Sequence, residues 1–236
     1  MQPQANRWRL KPQHRITEDN VKAILEEAGR SPRDWTLLFV TGNTGLRISE
    51  ILHLHVQQID RNSGVECVRR KKKELEEDVL AVSRDLFDYV DEYVKQAGLK
   101  PDDYLFPGEA GECWRTVAIR ERGEDGRLVT TGRRREKVCD GGHLTIRRAQ
   151  AIWDRVLRAV GLKVKGRGIH TLRHYDLTRF YAATKDLRAT QLRAAHSSPV
   201  TTTIYADVVE MQEKADVAGI TATPAPWARR KGAIRH

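Results

Sequence analysis

The residues best suited to chemistry lie towards the C-terminus of the chain. His170, Arg173 and His174 are near neighbours, and His196 and Tyr205 follow. His170 and Arg173 are three positions apart, so on a helix they share a face. The N-terminus of such a helix favours an anion, and the forked guanidinium of arginine is suited to phosphate oxygens. This group suggests a phosphate site, but a buried histidine beside a surface arginine gives the same pattern.

Two basic candidates lie earlier in the chain. Arg47 follows a glycine-bounded turn at residues 41–45, and Lys71 belongs to the basic run at residues 69–73. Taken singly, each has an ordinary alternative, because an isolated arginine is often a surface residue and a run of charge is often a solvated face. Tyr205 has its own alternative, a tyrosine packed in the core.

Composition limits the class of protein. The chain has 236 residues, which suits one large domain. Its formal net charge of +10 favours a polyanionic partner, and nucleic acid is favoured over an acidic membrane surface. No apolar run reaches the roughly 18 residues of a membrane span, and the N-terminus lacks the apolar segment of a secretory signal. The three cysteines are widely spaced and outside any CxxC pattern, which indicates reduced thiols. We expect a cytoplasmic protein with no membrane segment, no metal and no cofactor.

Periodicity predicts the elements that position these residues. Apolar residues at helical spacing predict helices along most of the chain. Residues 56–59, 65–68 and 78–82 predict a small three-stranded antiparallel sheet. Residues 107–143 show no clear period and are interpreted as a basic hairpin or a loop. The predicted fold class is α+β, mainly α-helical.

Local signals predict where three helices begin or end. The glycines at 42 and 45 predict a break after the helix that starts at Pro32. Ser49 is placed to cap the next helix. Ser198 and Pro199 form an N-cap and N1 pair for the helix that carries Tyr205.

Three segments, taken in order, resemble the motifs of the tyrosine recombinases, the family of phage integrases and Xer proteins. They read TGNTGLRISEILHL at residues 41–54, HTLRH at 170–174 and AHSSPVTTTIY at 195–205. Lys71, 24 residues after Arg47, falls where the hairpin lysine of the family lies. Several motifs in register are far more specific than one, and the resemblance covers about residues 14–210.

The resemblance implies a domain organisation. Residues 16–220 form the catalytic domain, with 107–143 as an insertion. A flexible basic arm at 1–15 precedes it and a basic tail at 221–236 follows. Most family members carry a separate N-terminal DNA-binding domain that these residues do not supply. The chain is expected to be either a short recombinase or a catalytic fragment.

The resemblance also implies a mechanism and the residues that perform it. Six residues are expected to be catalytic: Arg47, Lys71, His170, Arg173, His196 and Tyr205. Tyr205 attacks a phosphodiester and forms a 3′-phosphotyrosyl link, while the two arginines neutralise the phosphate. Lys71 protonates the leaving 5′ oxygen and His170 acts as acid and base. His196 either binds the phosphate or orients Tyr205. The covalent link stores the energy of the broken bond, so ATP is not needed. The mechanism needs no metal either, which suits a sequence without a carboxylate cluster.

Supporting residues are expected around this set. Glu50 either orients Arg47 or lies on the helix surface, and His174 either supports the site or only packs. Lys72 and Lys73 compete with Lys71, because the hairpin turn can shift by one or two residues. Four residues of the basic run are expected to bind DNA: Arg69, Arg70, Lys72 and Lys73. The family's usual glycine before the histidine of the third motif is Ala195 here.

The expected function is site-specific recombination or integration of double-stranded DNA at inverted repeats. The protein is expected to be prokaryotic or to belong to a mobile element, and to associate with the nucleoid in the cytoplasm. A homo-oligomer, a tetramer in the synapse, is the expected assembly. Residues 208–220 either dock on a neighbouring protomer or belong to a solvated tail. Two alternatives stay open: a type IB topoisomerase-like enzyme, and a non-catalytic DNA-binding regulator derived from a recombinase.

Overall fold

The computed structural model describes residues 14–71, 74–108, 114–122, 128–137, 142–196 and 198–217. Eight α-helices and five strands lie in these ranges. The described residues divide into two compact units, a larger one that ends at Asp176 and a smaller one that begins at Leu177. The tail expected at 221–236, most of the arm expected at 1–15, and Lys72 and Lys73 lie outside the described residues.

Capped, amphipathic helices build the larger unit. They are α1 (Glu18–Ala28), α2 (Pro32–Thr44), α3 (Ile48–Leu52), α4 (Arg84–Ala97), α5 (Ile146–Ala159) and the start of α6 (His170–Thr184). The Thr17 hydroxyl accepts a hydrogen bond from the Asn20 N–H at 3.2 Å, which satisfies a donor at the start of α1. Thr145 caps α5 in the same way. The apolar faces of these helices form one core that includes the fully buried Trp153.

In the larger unit, two helix boundaries differ from the sequence prediction, and both lie beside candidate site residues. Helix α2 continues through Gly42 to Thr44 and ends at Gly45, whose φ of 64° is left-handed and favours glycine. Helix α3 begins after Arg47, and Ser49 is not its cap. The Glu50 carboxylate accepts the Arg47 backbone N–H at 2.7 Å, and this contact starts the helix two residues earlier.

The three-stranded antiparallel sheet is confirmed, with the bounds of all three strands shifted from the prediction. Its strands are β1 (Ile59–Asp60), β2 (Gly64–Lys71) and β3 (Glu74–Leu80), in that order. Residues 56–58, predicted as strand, form a 3-10 turn, because the Gln58 side-chain oxygen accepts the His55 N–H at 2.8 Å. Strand β3 starts four residues before the predicted 78. The fold class, mainly helical α+β, is confirmed.

The segment at 107–143 contains a second pair of strands. Strands β4 (Trp114–Arg122) and β5 (Leu128–Lys137) pair antiparallel, which matches the hairpin interpretation. Backbone hydrogen bonds join the two ends of the segment, from Gly108 N–H to the Gly142 carbonyl at 2.6 Å and from Leu144 N–H to the Phe106 carbonyl at 2.7 Å. A β-carbon on Gly108 would lie 2.8 Å from that Gly142 oxygen, so this approach requires glycine.

The smaller unit is helical. It contains the rest of α6, α7 (Leu187–Ala194) and α8 (Thr203–Val217). Ser198 and Pro199, predicted to begin the last helix, instead introduce a 3-10 turn at residues 199–201, and α8 starts at Thr203. Its core contains Leu177, Ala194 and Tyr205. Within the described ranges of both units, no helix is both long and apolar enough to cross a membrane.

Candidate active site

Arg47 is held in place by Glu50. The two oxygens of the Glu50 carboxylate accept hydrogen bonds from the Arg47 backbone N–H at 2.7 Å and from Nη1 of the guanidinium at 2.8 Å. Glu50 is buried, with 8% of its surface exposed, and a buried carboxylate is tolerated only when it is paired. Glu50 is therefore not a surface residue, and it fixes the direction of the Arg47 side chain.

Arg173 is anchored at the same turn. It lies near the start of α6 and is buried, with 2% of its surface exposed. Its Nη1 donates a hydrogen bond to the carbonyl of Gly45, the residue that ends α2 two positions before Arg47. Both arginines are thus positioned at the turn between α2 and α3. Glu50 holds Arg47 through its backbone N–H and its guanidinium, and the Gly45 carbonyl holds the guanidinium of Arg173.

Two histidines lie beside these arginines on the first turns of α6. The His170 and His174 rings are edge to face, with centroids 6.0 Å apart. Lost hydration lowers the pKa of His170, and the positive charges of Arg173 and Arg47 lower it further, although solvent still reaches the ring. Burial, followed by His170 and Arg173, lowers the pKa of His174 to about 4. Both imidazoles are therefore neutral near pH 7, and His170 is placed to accept a proton.

The structure places the described part of the basic run, residues 69–71, at the end of β2. Lys71 is the last residue of β2 and lies opposite Glu74 in the register. Arg69 lies opposite Glu76, and Arg70 lies opposite Leu75. The rivals Lys72 and Lys73 lie outside the described residues. The choice of Lys71 as the catalytic lysine stays a prediction.

In the smaller unit, two neighbours fix His196. Its Nδ1 shares a hydrogen bond with the Thr202 hydroxyl at 3.0 Å, and Thr202 is completely buried. The Gln191 side chain donates to the His196 carbonyl at 3.0 Å. The Thr202 hydroxyl therefore holds the ring of His196 through Nδ1. Sequence reasoning did not identify Thr202 or Gln191 as supports; Thr202 was visible only as a member of the third motif.

Tyr205 lies next to His196. The two rings are nearly parallel, at 12°, with centroids 6.2 Å apart. The Tyr205 backbone N–H donates to the Thr202 carbonyl at 3.1 Å, so one threonine contacts both residues. Tyr205 is 1% exposed and packs with Leu177 and Ala194. The tyrosine is therefore a core residue of the smaller unit, as well as the candidate nucleophile.

The backbone conformation at Ala195 is one that glycine adopts more readily than alanine. Ala195 caps the end of α7 with φ 44° and ψ 47°, which is the left-handed region. A β-carbon makes this conformation costly by about 1 kcal/mol or more, and glycine avoids that cost. Alanine keeps the backbone path that leads to His196, at the expense of local strain.

The larger unit thus brings together Arg47, Glu50, His170, Arg173 and His174, and the smaller unit brings together His196, Thr202 and Tyr205. In the described part of the chain, no group of three or more histidine, cysteine or acidic residues is arranged to hold a metal ion.

Comparison with known proteins identifies the family. The sequence pattern of the phage integrase family matches residues 14–211, and the chain belongs to that family. Tyrosine recombinase XerD of Pseudomonas aeruginosa is 27% identical over 204 residues, which cover 82% of this chain and 57% of the relative. A tyrosine recombinase of Pseudothermotoga lettingae is 25% identical over 201 residues, covering 85% and 58%. The chain spans a little over half the length of these curated relatives.

Solved structures support the same fold. The crystal structure of XerA recombinase matches with a TM-score of 0.63 at 17% identity, covering 92% of this chain and 67% of the other. The structure of XerH site-specific recombinase bound to palindromic difH substrate matches with a TM-score of 0.61 at 20% identity, covering 87% and 52%. At these identities the likeness establishes the fold and leaves the activity to be tested.

Proposed function

We propose that this chain is the catalytic domain of a site-specific DNA recombinase or integrase. It cleaves and religates DNA through a 3′-phosphotyrosyl intermediate, without metal or ATP. The observation that carries the proposal is the turn at residues 45–47, which fixes Arg47 and Arg173 beside the neutral His170. Two fixed guanidinium groups at a helix N-terminus suit a phosphate whose charge grows in the transition state.

The roles follow from the chemistry of each group. Arg47 and Arg173 neutralise the phosphate oxygens through charge-assisted hydrogen bonds. His170, neutral near pH 7, accepts a proton and later returns it. Lys71 donates the proton that the leaving 5′ oxygen requires, and the other basic residues of the hairpin bind the DNA backbone. His196, held by Thr202, binds the phosphate or orients Tyr205.

Tyr205 is the proposed nucleophile. A tyrosine hydroxyl is weak at neutral pH until its proton is removed, so a nearby base and a neutralised phosphate are both required. The ring is buried, so the proposal requires the hydroxyl to become exposed when DNA binds. The hydroxyl attacks phosphorus, the 5′ oxygen leaves with a proton, and religation reverses these steps on a new strand.

The test uses a pool of nicked duplexes with a randomised core. Cleavage near the nick releases a short fragment, so religation fails and a covalent complex accumulates. We expect an SDS-resistant protein–DNA adduct with the parent protein, and none with Tyr205→Phe. Tyr181→Phe is the matched control, because Tyr181 packs against the same small core and loses the same hydroxyl. EDTA should not change the yield.

Each competing function predicts a different outcome. An adduct that persists in Tyr205→Phe would show that the nucleophile is another residue. Relaxation of supercoiled DNA with no exchanged strands would favour a topoisomerase-like enzyme. Duplex binding without any adduct from the pool would favour a non-catalytic regulator.

The partners belong to the same proposal. Recombination joins two DNA sites, so we expect the chain to act on double-stranded DNA at inverted repeats as a homo-oligomer, a tetramer in the synapse. We expect this to take place in the cytoplasm, at the nucleoid. Part of the segment proposed to dock on a neighbour, residues 218–220, lies outside the described residues. Deleting residues 211–236 should abolish synapsis and leave single-site cleavage intact if the segment docks.

A further inference from the structure

The ribbon formed by β4 and β5 has two faces of different character. Directly opposite residues of an antiparallel pair share a face, and successive residues along each strand alternate between faces. Thr116 pairs with Arg135, and Ala118 pairs with Arg133. These pairs lie on the same face, which we call the basic face of the ribbon.

Alternation along the strands assigns the remaining residues. The register shifts by one between Ile119 and Arg120, which leaves Thr131 as an extra residue in β5, while β4 alternates without interruption. The basic face carries five basic residues and no acidic residue: Arg120, Arg122, Arg133, Arg135 and Lys137. The opposite face carries two basic and two acidic residues: Arg115, Arg134, Glu121 and Glu136. The net positive charge of the ribbon is therefore confined to one face.

The two ends of the segment that carries the ribbon are joined to each other in the larger unit, at what we call the base of the segment. Pro107 and His143 form a bridge across the two ends of the segment, and Phe106 and Leu144 beside them are buried in the core. The backbone hydrogen bonds at Gly108 close this base. The chain thus enters and leaves the segment that carries the ribbon at a defined place in the unit that holds Arg47 and Arg173.

The charge and length of the basic face identify its partner. Nine strand residues extend about 30 Å, and a duplex of that length carries about 18 phosphate charges. A second copy of this chain has a net charge of +10 and would be repelled. We propose that the basic face lies along the phosphate backbone of duplex DNA, away from the phosphate that is cleaved. This inference rests on the proposed function and adds a second, sequence-independent DNA contact to it.

The test compares two double variants that remove the same charge from the same ribbon. Arg133→Gln with Arg135→Gln alters the basic face, and Arg115→Gln with Arg134→Gln alters the opposite face. Binding to a mixed-sequence 40-base-pair duplex is measured by fluorescence anisotropy between 50 and 200 mM salt, in the Tyr205→Phe background. Loss of two phosphate contacts lowers the slope of log K against log salt by about 1.8. Between 50 and 200 mM salt, the affinity of the parent should therefore fall about twelvefold more than the affinity of the basic-face variant. The affinity of the control variant should fall as much as that of the parent.

Other results would overturn the inference in distinguishable ways. Equal slopes for both double variants refute the ribbon contact and leave the proposed function standing if the adduct still forms at Tyr205. No duplex binding by the parent refutes the proposed function as well. A reduced oligomer mass in the basic-face variant with an unchanged slope would assign the face to a protein contact instead. Replacing Arg133 and Arg135 by lysine should restore the parental slope, which excludes misfolding as the cause.

Discussion

The replacement Glu50→Gln tests how Arg47 is positioned. Glutamine keeps the shape of the side chain and one acceptor oxygen, which can still receive the Arg47 backbone N–H now bonded at 2.7 Å. The second contact, from the guanidinium at 2.8 Å, loses its charged acceptor and meets an amide that is itself a donor. The variant therefore releases the guanidinium but leaves the start of α3 in place.

The size of the effect follows from that single lost contact. A hydrogen bond to a charged group contributes about 1.5–3 kcal/mol. If the lost contact stabilises the transition state by this amount, the rate of adduct formation should fall by about 10- to 150-fold. Affinity for duplex DNA should not fall, because the variant removes a negative charge.

The assay is single-turnover adduct formation on the nicked duplex, paired with binding to an intact duplex. Glu27→Gln is the matched control, because Glu27, near the end of α1, pairs with Arg30 at the same three-residue spacing. An adduct rate for Glu50→Gln within twofold of the parent would refute the positioning role. A parallel loss of rate and DNA affinity would show that the variant damages the fold instead.

Three further predictions concern the residues around the two groups. Thr202→Val removes the hydroxyl that contacts His196, and it should slow single-turnover adduct formation by about two- to tenfold, the value of one neutral hydrogen bond. Ala195→Gly relieves the left-handed strain and should raise the free energy of unfolding by up to about 1 kcal/mol in urea titrations. His174 has a pKa of about 4 in the folded chain and about 6.5 when unfolded, so its contribution to stability is full above pH 6.5 and is lost as pH falls towards 4. His174→Gln should remove at most about 3 kcal/mol of that pH dependence, measured by urea unfolding from pH 4.5 to 7.5.

Each of these predictions has its own control. Thr202→Ser should restore the rate, and a Thr202→Ser variant as slow as Thr202→Val would refute the hydrogen-bond explanation. Ala194→Gly, inside α7, should instead destabilise the chain, because glycine is unfavourable within a helix. An Ala195→Gly variant that destabilises the chain as Ala194→Gly does would count against strain at Ala195. Identical stability–pH curves for the parent and His174→Gln would contradict a buried, neutral His174.

The sequence predicted the helices and the three-stranded sheet because burial on one face repeats at regular spacing. The bounds of helices and strands were less predictable where a side chain two or three residues later in the sequence forms a hydrogen bond that sets the bound. Gln58 draws residues 56–58 into a 3-10 turn, and Glu50 starts α3 before Ser49. A glycine alone did not identify the end of α2, since Gly42 lies within the helix and Gly45 ends it.

In the candidate site, the residues themselves could be predicted from the sequence, but the contacts that hold them could not. Arg47, His170, Arg173, His196 and Tyr205 were identified by motifs whose order and spacing are visible in the sequence. The contact from Arg173 to the Gly45 carbonyl joins residues 128 positions apart, and it depends on how α6 packs within the larger unit. A backbone carbonyl has no signature in the sequence, so contacts of this kind could not be predicted.

The most direct test of the central claim is to locate the covalent bond. The adduct from the nicked duplex is digested with nuclease and protease, and the peptides are sequenced by mass spectrometry. The proposed function predicts one modified peptide, with a nucleotide joined through its 3′ phosphate to the Tyr205 hydroxyl. A nucleotide on any other residue, or a 5′ linkage, would contradict it.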